Sequence, residues 1–506
     1  MNIVSILAQN ALRHPDKPAL VFEDRSYTYH EFNRMVNQLA NGLISLGIKK
    51  GEKIALMMKN SDYFAISYYA VAKTGAVIVP MNFRLVAREA NYILDQSDSV
   101  FVICDQEYEK MIHDASSTIP AVRQVITVET AENKGSLSLQ DVLSKNSAEP
   151  AVEINNTDDL HILYTSGTTG NPKGAVFDHE RVLNVTVGCI GLLGYNTRER
   201  FIHVAPLFHA AQLVICMTSS FLLGGFNVIH KEFNPEAMLR DIEKYKITSL
   251  FAIPTMFKFL IEFPGGEKYD VSSIQRFLYG AAPMSREMVN QTMKFFNSNN
   301  FYSLCGLTEG GPSGIYLSPE DHKEKVGASG KDGLLFTEAK LVTPEGQETE
   351  PNMVGEFVLK GDTVMKEYYK KPQETAATLR DGWLYTGDLG YRDKDGYIYI
   401  VDRIKDMIIT GGENVYSVEV ENVLGTHPKI ADVAVIGSPD EQWGEIVTAV
   451  IASKPNETIE LDELEAFCRQ HLSGYKIPRK VVFVEALPRN TSGKLMKYKL
   501  RESVKK

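Results

Sequence analysis

Cysteine is scarce and scattered in this chain. Its 506 residues hold five, Cys104, Cys189, Cys216, Cys305 and Cys468, and none stands in a CxxC spacing. An odd set of distant thiols argues against a disulfide framework and against a zinc site. It fits a reducing compartment, and a cytoplasmic location is expected. Long apolar runs are missing as well. No stretch approaches the ~18 uncharged apolar residues of a membrane-spanning helix. The opening MNIVSILAQNALRHPDK lacks a basic lead and a sustained apolar core, so no secretory signal is expected. Net charge is −10 and no long basic run occurs, which argues against a general affinity for nucleic acid or anionic membrane. A nucleotide would have to be held by a local site. Repeats and low-complexity tracts are also lacking.

The remaining composition is ordinary for a globular protein, at 44% hydrophobic and 23% charged. The chain is too long for one core, and at roughly 150 residues per domain about three packing units are expected. Thr28 and Glu31 form a capping-box pattern. Phe32, Val36, Leu39, Leu43 and Leu46 then recur on one helical face, which Gly47 closes. Short apolar runs alternate with such helices: Lys53-IALMM, Ala76-VIVPM and Ser99-VFVIC, with a helix from near Asp62 to Gly75. This alternation predicts mostly parallel sheet covered by helices, and the texture returns from Ser249 to Gly327. Residues 340–400 carry Gly- and Tyr-rich short strands and predict a small antiparallel sheet. A Lys- and Glu-rich α+β tail comes next, with a strand at Val433-AVIG and a helix from Glu460 to His471. The expected fold is α/β. A large N-terminal domain, residues 1–402, combines α/β subdomains with the small antiparallel sheet. A small α+β C-terminal domain occupies 403–506.

The most informative segment is Tyr164-TSGTTGNPKG-Ala175, which succeeds the apolar run Leu160-HILY. Glycines let backbone N–H groups turn inward around an anion, hydroxyls add donors, and Lys173 adds a point charge. Polyphosphate is the natural ligand. The segment is not a Walker A loop, because Pro172 precedes Lys173 and Gly174 comes after it, nor is it a GxGxxG fingerprint.

The whole string resembles the signature loop of the adenylate-forming superfamily, which includes acyl-CoA synthetases, peptide-synthetase adenylation domains and luciferases. Further motifs of that superfamily occur in order: Pro206-LFH, Tyr279-GAAP, Gly306-LTE, Gly355-EFVLKG, Tyr385-TGD, Asp402-RIKDMIITGGENVY and Pro488-RNTSGK. The chain is most similar to bacterial fatty acyl-CoA ligases and to aryl-CoA ligases of the coumarate and feruloyl type. The resemblance implies ATP, Mg2+ and coenzyme A as ligands. A carboxylate attacks the α-phosphate of ATP, and the acyl group then passes to the thiol. No protein nucleophile is needed, so positioning and charge cancellation must supply the catalysis. By resemblance, Thr165, Ser166, Gly167, Thr168, Thr169 and Lys173 hold the β- and γ-phosphates. Glu309 is the metal ligand and Thr308 contacts the α-phosphate. Asp388 takes both ribose hydroxyls, since one carboxylate can accept two donors, and Arg403 supports ribose or phosphate. Gly280, Ala281 and Ala282 form one wall of the adenine slot. Lys494 reaches the substrate carboxylate and α-phosphate, and His209 stands near the carboxylate as a gate toward the thiol tunnel. The small domain is expected to rotate between the half-reactions about a hinge at Lys405, bringing Gly411 and Gly412 to the pantetheine.

Two positions depart from the pattern. Cys305 stands where relatives carry an aromatic that stacks on adenine, which implies weaker ATP binding or compensation from another face. Ser417 stands where relatives often have proline at a helix start. As a serine N-cap it is expected to be of little consequence. The residues after His209 bound the choice of acid. Peptide-synthetase domains place an aspartate there to pair an amino group, whereas this chain has Ala210 and Ala211. An unpaired buried ammonium is costly, so α-amino acids are disfavoured. The small or apolar residues Ala210, Ala211, Gly280 and Leu307 suit a medium or long fatty acid, and they also suit a flat aromatic acid. With no carrier domain after Lys506, free coenzyme A is the expected acceptor, and an acyl-AMP-forming enzyme with another acceptor is the further alternative. Oligomeric state is left open, a homo-oligomer included.

Overall fold

The computed structural model describes residues 2–165, 171–282, 284, 286–489 and 495–504. Ser166, Gly167, Thr168, Thr169 and Lys494 lie outside the described residues. Four sheets organise the described residues, and the expected α/β class holds. The first sheet has nine strands. Its centre runs parallel in the spatial order Phe301–Gly306, Arg276–Gly280, Ser249–Ala252, Arg200–His203, Phe226–Ile229 and Pro18–Phe22. From Arg200–His203 the chain builds first to one side, at Phe226–Ile229, and then to the other, at Ser249–Ala252. The strand order therefore reverses at Arg200–His203. Such a switch point opens a crevice at the carboxyl ends of parallel strands, where ligands of open α/β sheets bind.

The second sheet has seven strands and repeats the plan around Lys53–Met57, flanked by Val77–Pro80 and Ser99–Cys104. It ends in the antiparallel pair Asp159–Thr165 and Lys173–Asp178. The capping box forms as expected. Thr28 Oγ1 accepts from the Glu31 N–H at 3.2 Å, and Glu31 Oε2 accepts from the Thr28 N–H at 2.8 Å. The helix Tyr29–Ser45 buries Phe32, Val36, Leu39 and Leu43 completely. Each such side chain contributes about 1.5–3 kcal/mol, and Phe32 also stacks on Phe221 with ring centroids 4.7 Å apart.

The third sheet is antiparallel, as its Gly- and Tyr-rich strands predict. It comprises Thr337–Val342, Gly355–Gly361, Leu379–Arg380, Trp383–Arg392 and Ile398–Arg403. The fourth spans Ile408–Thr410 to Lys480–Phe483. Its core clusters, one around Ile408, Val420 and Val435 and one around Ile436, Val450 and Leu500, draw only on residues from Ile408 onward among the described residues. Helix Ser417–Leu424 corrects one expectation: the N-cap is Tyr416, and Ser417 is the first helical residue. Its N–H donates to Asp402 on the third sheet, and its Oγ accepts from Lys497 Nζ at 2.5 Å. The serine is thus bonded to both neighbouring segments. No helix among the described residues is long and apolar enough to cross a membrane.

Candidate active site

The site residues on the first sheet all leave the carboxyl ends of its parallel strands. Pro206 to His209 come after Arg200–His203, Ala281 and Ala282 after Arg276–Gly280, and Thr308 and Glu309 after Phe301–Gly306. Gly280 is packed so closely that a Cβ would lie 2.5 Å from the Leu304 carbonyl oxygen. Ala281 adopts a left-handed φ of +66°, which is costly for a residue with a Cβ and points to a backbone constraint at this turn.

A second element brings in Lys173. Lys173 opens the strand Lys173–Asp178 and pairs in register with Thr165, so the two residues flank the loop between them. Lys173 Nζ lies 4.5 Å from the centroid of the Tyr368 ring. The Tyr368 hydroxyl donates to Glu309 Oε1 at 2.7 Å. Burial, then the Glu309 charge, push the phenol well above its ordinary range, so it remains a donor. Residues 366–369 are held against the loop strand by bonds from Lys366 to Val176 and from Tyr369 to Gly174. Lys173, Tyr368 and Glu309, far apart in sequence, thus form one cluster. Tyr368 has no distinguishing signal in the sequence, where it stands beside Tyr369 and a run of lysines.

A separate charged pair is built on the third sheet. Asp388 and Arg403 face each other in register, and Arg403 Nε meets Asp388 Oδ1 at 2.9 Å. The Asp388 N–H donates to Thr386 Oγ1 at 3.1 Å, and the next amide back, of Gly387, donates to Glu356 Oε1 at 2.9 Å. Cys305 belongs to this group. Its thiol is pushed up to about 12 by burial and then by the charge of Asp388, so it stays neutral.

The turn after Arg200–His203 is largely apolar. Half-buried and packed against Phe208, with ring centroids 4.4 Å apart, His209 has its pKa lowered to about 4 by desolvation and then by the charge of Arg84. Its Nε2 is buried without a hydrogen-bond partner among the described residues. A neutral imidazole with an orphaned nitrogen is an unmet polar demand, which a carboxylate or thiol could satisfy. After Ala210 comes a π-helix, Ala211–Thr218, with Leu213, Val214, Ile215 and Met217 buried. Such helices are rare and frequent at functional sites. Asn60, which no sequence motif marks, is tied to this turn: its Nδ2 donates to the Ala205 carbonyl at 2.9 Å, and its Oδ1 accepts from the Leu207 N–H at 2.7 Å.

Gly411 and Gly412 form the turn after Ile408–Thr410, both at positive φ, +59° and +86°. A Cβ on Gly411 would come within 2.7 Å of the Trp443 ring, whereas Gly412 faces open space. Lys405 lies between the third and fourth sheets, and its carbonyl accepts from Arg501 at 3.4 Å.

Comparison with known proteins gives the chain a family. A family model described as "AMP-binding enzyme" matches residues 7–369, and one described as "AMP-binding enzyme C-terminal domain" matches 419–494. The chain belongs to the AMP-binding enzyme family. It is 37% identical to the long-chain-fatty-acid–CoA ligase FadD13 of Mycobacterium tuberculosis, covering 99% of this chain and 98% of that one. It is 35% identical to a feruloyl-CoA synthase of Amycolatopsis sp, covering 97% of each. Among solved structures, the o-succinylbenzoate–CoA synthetase of Bacillus subtilis in complex with ATP and magnesium ion is 29% identical, with TM-score 0.87 and 99% coverage of both chains. A fatty acyl-CoA synthetase of M. tuberculosis is 36% identical, with TM-score 0.76 and coverage of 99% and 98%. The activity is therefore that of an ATP-dependent, AMP-forming acid–CoA ligase acting through an acyl-adenylate. The residues present fit ATP with Mg2+. Among the described residues no group of three or more His, Cys, Asp or Glu could hold a metal ion. Mg2+, however, typically takes one or two carboxylates and completes its shell with phosphates and water, and Glu309 provides one such carboxylate.

Proposed function

We propose that this ligase activates a medium- or long-chain fatty acid, with the charged clusters holding ATP and the apolar turn after His209 holding the acid. The observation that carries this reading is the contrast between charged and apolar clusters. Glu309, which shares Tyr368 with Lys173, and Asp388, beside Arg403, stand on the nucleotide side. Beyond the neutral His209, Ala210 opens into a buried apolar π-helix with no charged side chain. In this reading Thr165, Ser166, Gly167, Thr168, Thr169 and Lys173 hold the outer phosphates, and Thr308 meets the α-phosphate. Asp388 accepts the ribose hydroxyls beside Arg403, and Gly280, Ala281 and Ala282 border the adenine. Glu309 would hold Mg2+, which when bound offsets the charge of the leaving pyrophosphate. His209, kept neutral, donates one N–H toward the acid carboxylate or stands aside for the thiol. Lys494 supplies the cation for adenylate formation, where a charged donor in a dry site is worth roughly 3–4 kcal/mol.

The second half-reaction calls for a different placement of residues 403–506, reached by rotation about Lys405, after which Gly411 and Gly412 serve the pantetheine arm. The separate hydrophobic clusters of that domain support a rigid-body movement. We place the enzyme in the cytoplasm, where ATP, coenzyme A and reduced thiols are available.

The test is AMP release measured across a series of acids, with and without coenzyme A. Each added methylene should raise catalytic efficiency about fourfold until the pocket ends, from roughly 0.8 kcal/mol per buried CH2. A clear preference for acetate or an amino acid would refute the fatty-acid reading. A flat length profile with strong turnover of cinnamic acids would assign the enzyme to aryl acids, the class of the feruloyl relative.

A further inference from the structure

The two large sheets meet at their switch points, and a short segment joins them there. Strand Lys53–Met57, where the order of the seven-stranded sheet reverses, delivers Lys59 and Asn60 directly from its carboxyl end. The backbone on either side of Asn60 is fixed. The Lys59 N–H donates to Asp105 Oδ2 at 2.8 Å, and Ser61 caps the next helix by accepting from the Phe64 N–H at 3.1 Å. The side chains of the pair cross to the nine-stranded sheet. Lys59 Nζ meets Glu232, just beyond Phe226–Ile229, at 3.0 Å. Asn60, only 3% exposed, binds the two peptides flanking Pro206, just beyond Arg200–His203. The Ala205 carbonyl can only accept and the Leu207 amide can only donate, so the carboxamide is held in one orientation. Pro206 has no N–H of its own to anchor the turn, and its carbonyl receives the His209 N–H at 3.1 Å.

We propose that Asn60 is a positioning residue for the reaction: its carboxamide clamps the Ala205–Leu207 turn and, through Pro206, fixes where His209 meets the acid and the thiol. The inference rests on the assignment of His209 to the acid side. The effect of losing Asn60 falls on one half of the site. Lys173, Glu309, Asp388 and Arg403 are held by Tyr368, by each other and by the third sheet, and Asn60 bonds to none of them.

The experiment compares Asn60→Ala, Asn60→Ser, His209→Ala and Asn37→Ala. Asn37 is a control of equal burial, 3% exposed, whose Nδ2 likewise holds a loop through the Ser147 carbonyl at 3.0 Å and whose Oδ1 accepts from Lys73 Nζ at 2.7 Å, with no bond to the turn at Pro206. Steady-state constants for acid and ATP are measured with the melting temperature. Asn60→Ala should raise KM for the acid about tenfold or more while KM for ATP stays within about twofold, because two buried bonds to the turn are lost. Asn60→Ser, able to keep one of the bonds, should fall between, and it decides the matter if the alanine variant does not fold. Asn37→Ala should lower the melting temperature without moving either KM. If His209→Ala shifts the acid constants but the Asn60 variants move acid and ATP constants together, or move neither, Asn60 is only structural and the proposal is overturned. If His209→Ala leaves the acid and thiol kinetics unchanged, the assignment of His209 fails and takes the proposal with it.

Discussion

The clusters assigned here to the nucleotide and the turn assigned to the acid are built in opposite ways. On the nucleotide side, charges are kept and individually held: Tyr368 donates to Glu309, and Arg403 binds one oxygen of Asp388. Each carboxylate retains acceptor capacity, one for a cation and one for hydroxyls. On the acid side, charge is removed. Burial holds His209 neutral and its Nε2 unpartnered among the described residues, and the π-helix beyond it is apolar. On the proposed assignment, the nucleotide would be recognised by partners already in place and the acid by area. The first mode should be sensitive to single atoms and the second to graded changes in size.

The largest effect should come from the nucleotide side. Asp388→Ala removes the carboxylate proposed to accept from two ribose hydroxyls and leaves Arg403 without its Asp388 partner. KM for ATP should rise by about two orders of magnitude, several kcal/mol, while KM for the acid moves little. An ATP constant unchanged within about twofold would remove Asp388 from the ribose. A smaller effect of opposite sign is expected at Cys305, beside Asp388. Cys305→Tyr would restore an aromatic face against adenine, worth about 1–3 kcal/mol. KM for ATP should fall about fivefold or more in a variant that retains its melting temperature. No change would mean that another surface already provides the stacking.

The smallest effect concerns stability and separates neutral burial from held charge. His161 is lowered to about 3, and His179, His203 and His209 each to about 4, all chiefly by burial. An unfolded histidine titrates near 6.5, so below that pH the unfolded state binds protons that the folded state refuses. Stability is therefore lost as pH falls from about 6.5 toward 4, by up to roughly 1.4 kcal/mol per histidine per pH unit. Asp105, raised to about 6 by burial, takes up a proton in the folded state over part of this range and offsets one of the four. Melting temperature should decline steadily from pH 7 to pH 5, and His203→Asn should flatten the slope. A slope unaltered by that change would show that His203 is not neutral in the fold.

Much of the architecture is legible in the sequence because its signals are local. The capping box at Thr28 and Glu31 needs three residues' separation, and the strands at Ser99 and Leu160 are short apolar runs. The loop at Thr165 to Lys173 announces itself by composition. The features that escape a reading of the sequence depend on distance along the chain. Asn60 reaches a turn some 145 residues away, and Tyr368 reaches Glu309 across 59. No periodicity carries either contact. The run LVICM predicts burial but cannot tell a π-helix from an α-helix, since both bury an apolar stretch of that length. Ala281 sits at positive φ with no glycine to advertise it. Serine favours the cap position, yet at Ser417 a bond to Asp402 and another to Lys497 accompany its place as the first helical residue instead.

In the proposed mechanism, the held charges of the large domain serve two half-reactions with different placements of the small one. Measuring the half-reactions apart in Lys494→Ala and Lys405→Pro separates alternation from a single placement. Pyrophosphate exchange reports adenylation, and conversion of pre-made acyl-AMP reports thioester formation. Lys494→Ala should lose exchange by about 10²–10³ yet still convert acyl-AMP to acyl-CoA. Proline fixes φ near −65° and should trap one placement, so Lys405→Pro should keep exchange and lose thioester formation. Both variants should melt as the wild type does. If the two folded variants lose both half-reactions to the same extent, the alternation is contradicted for this protein.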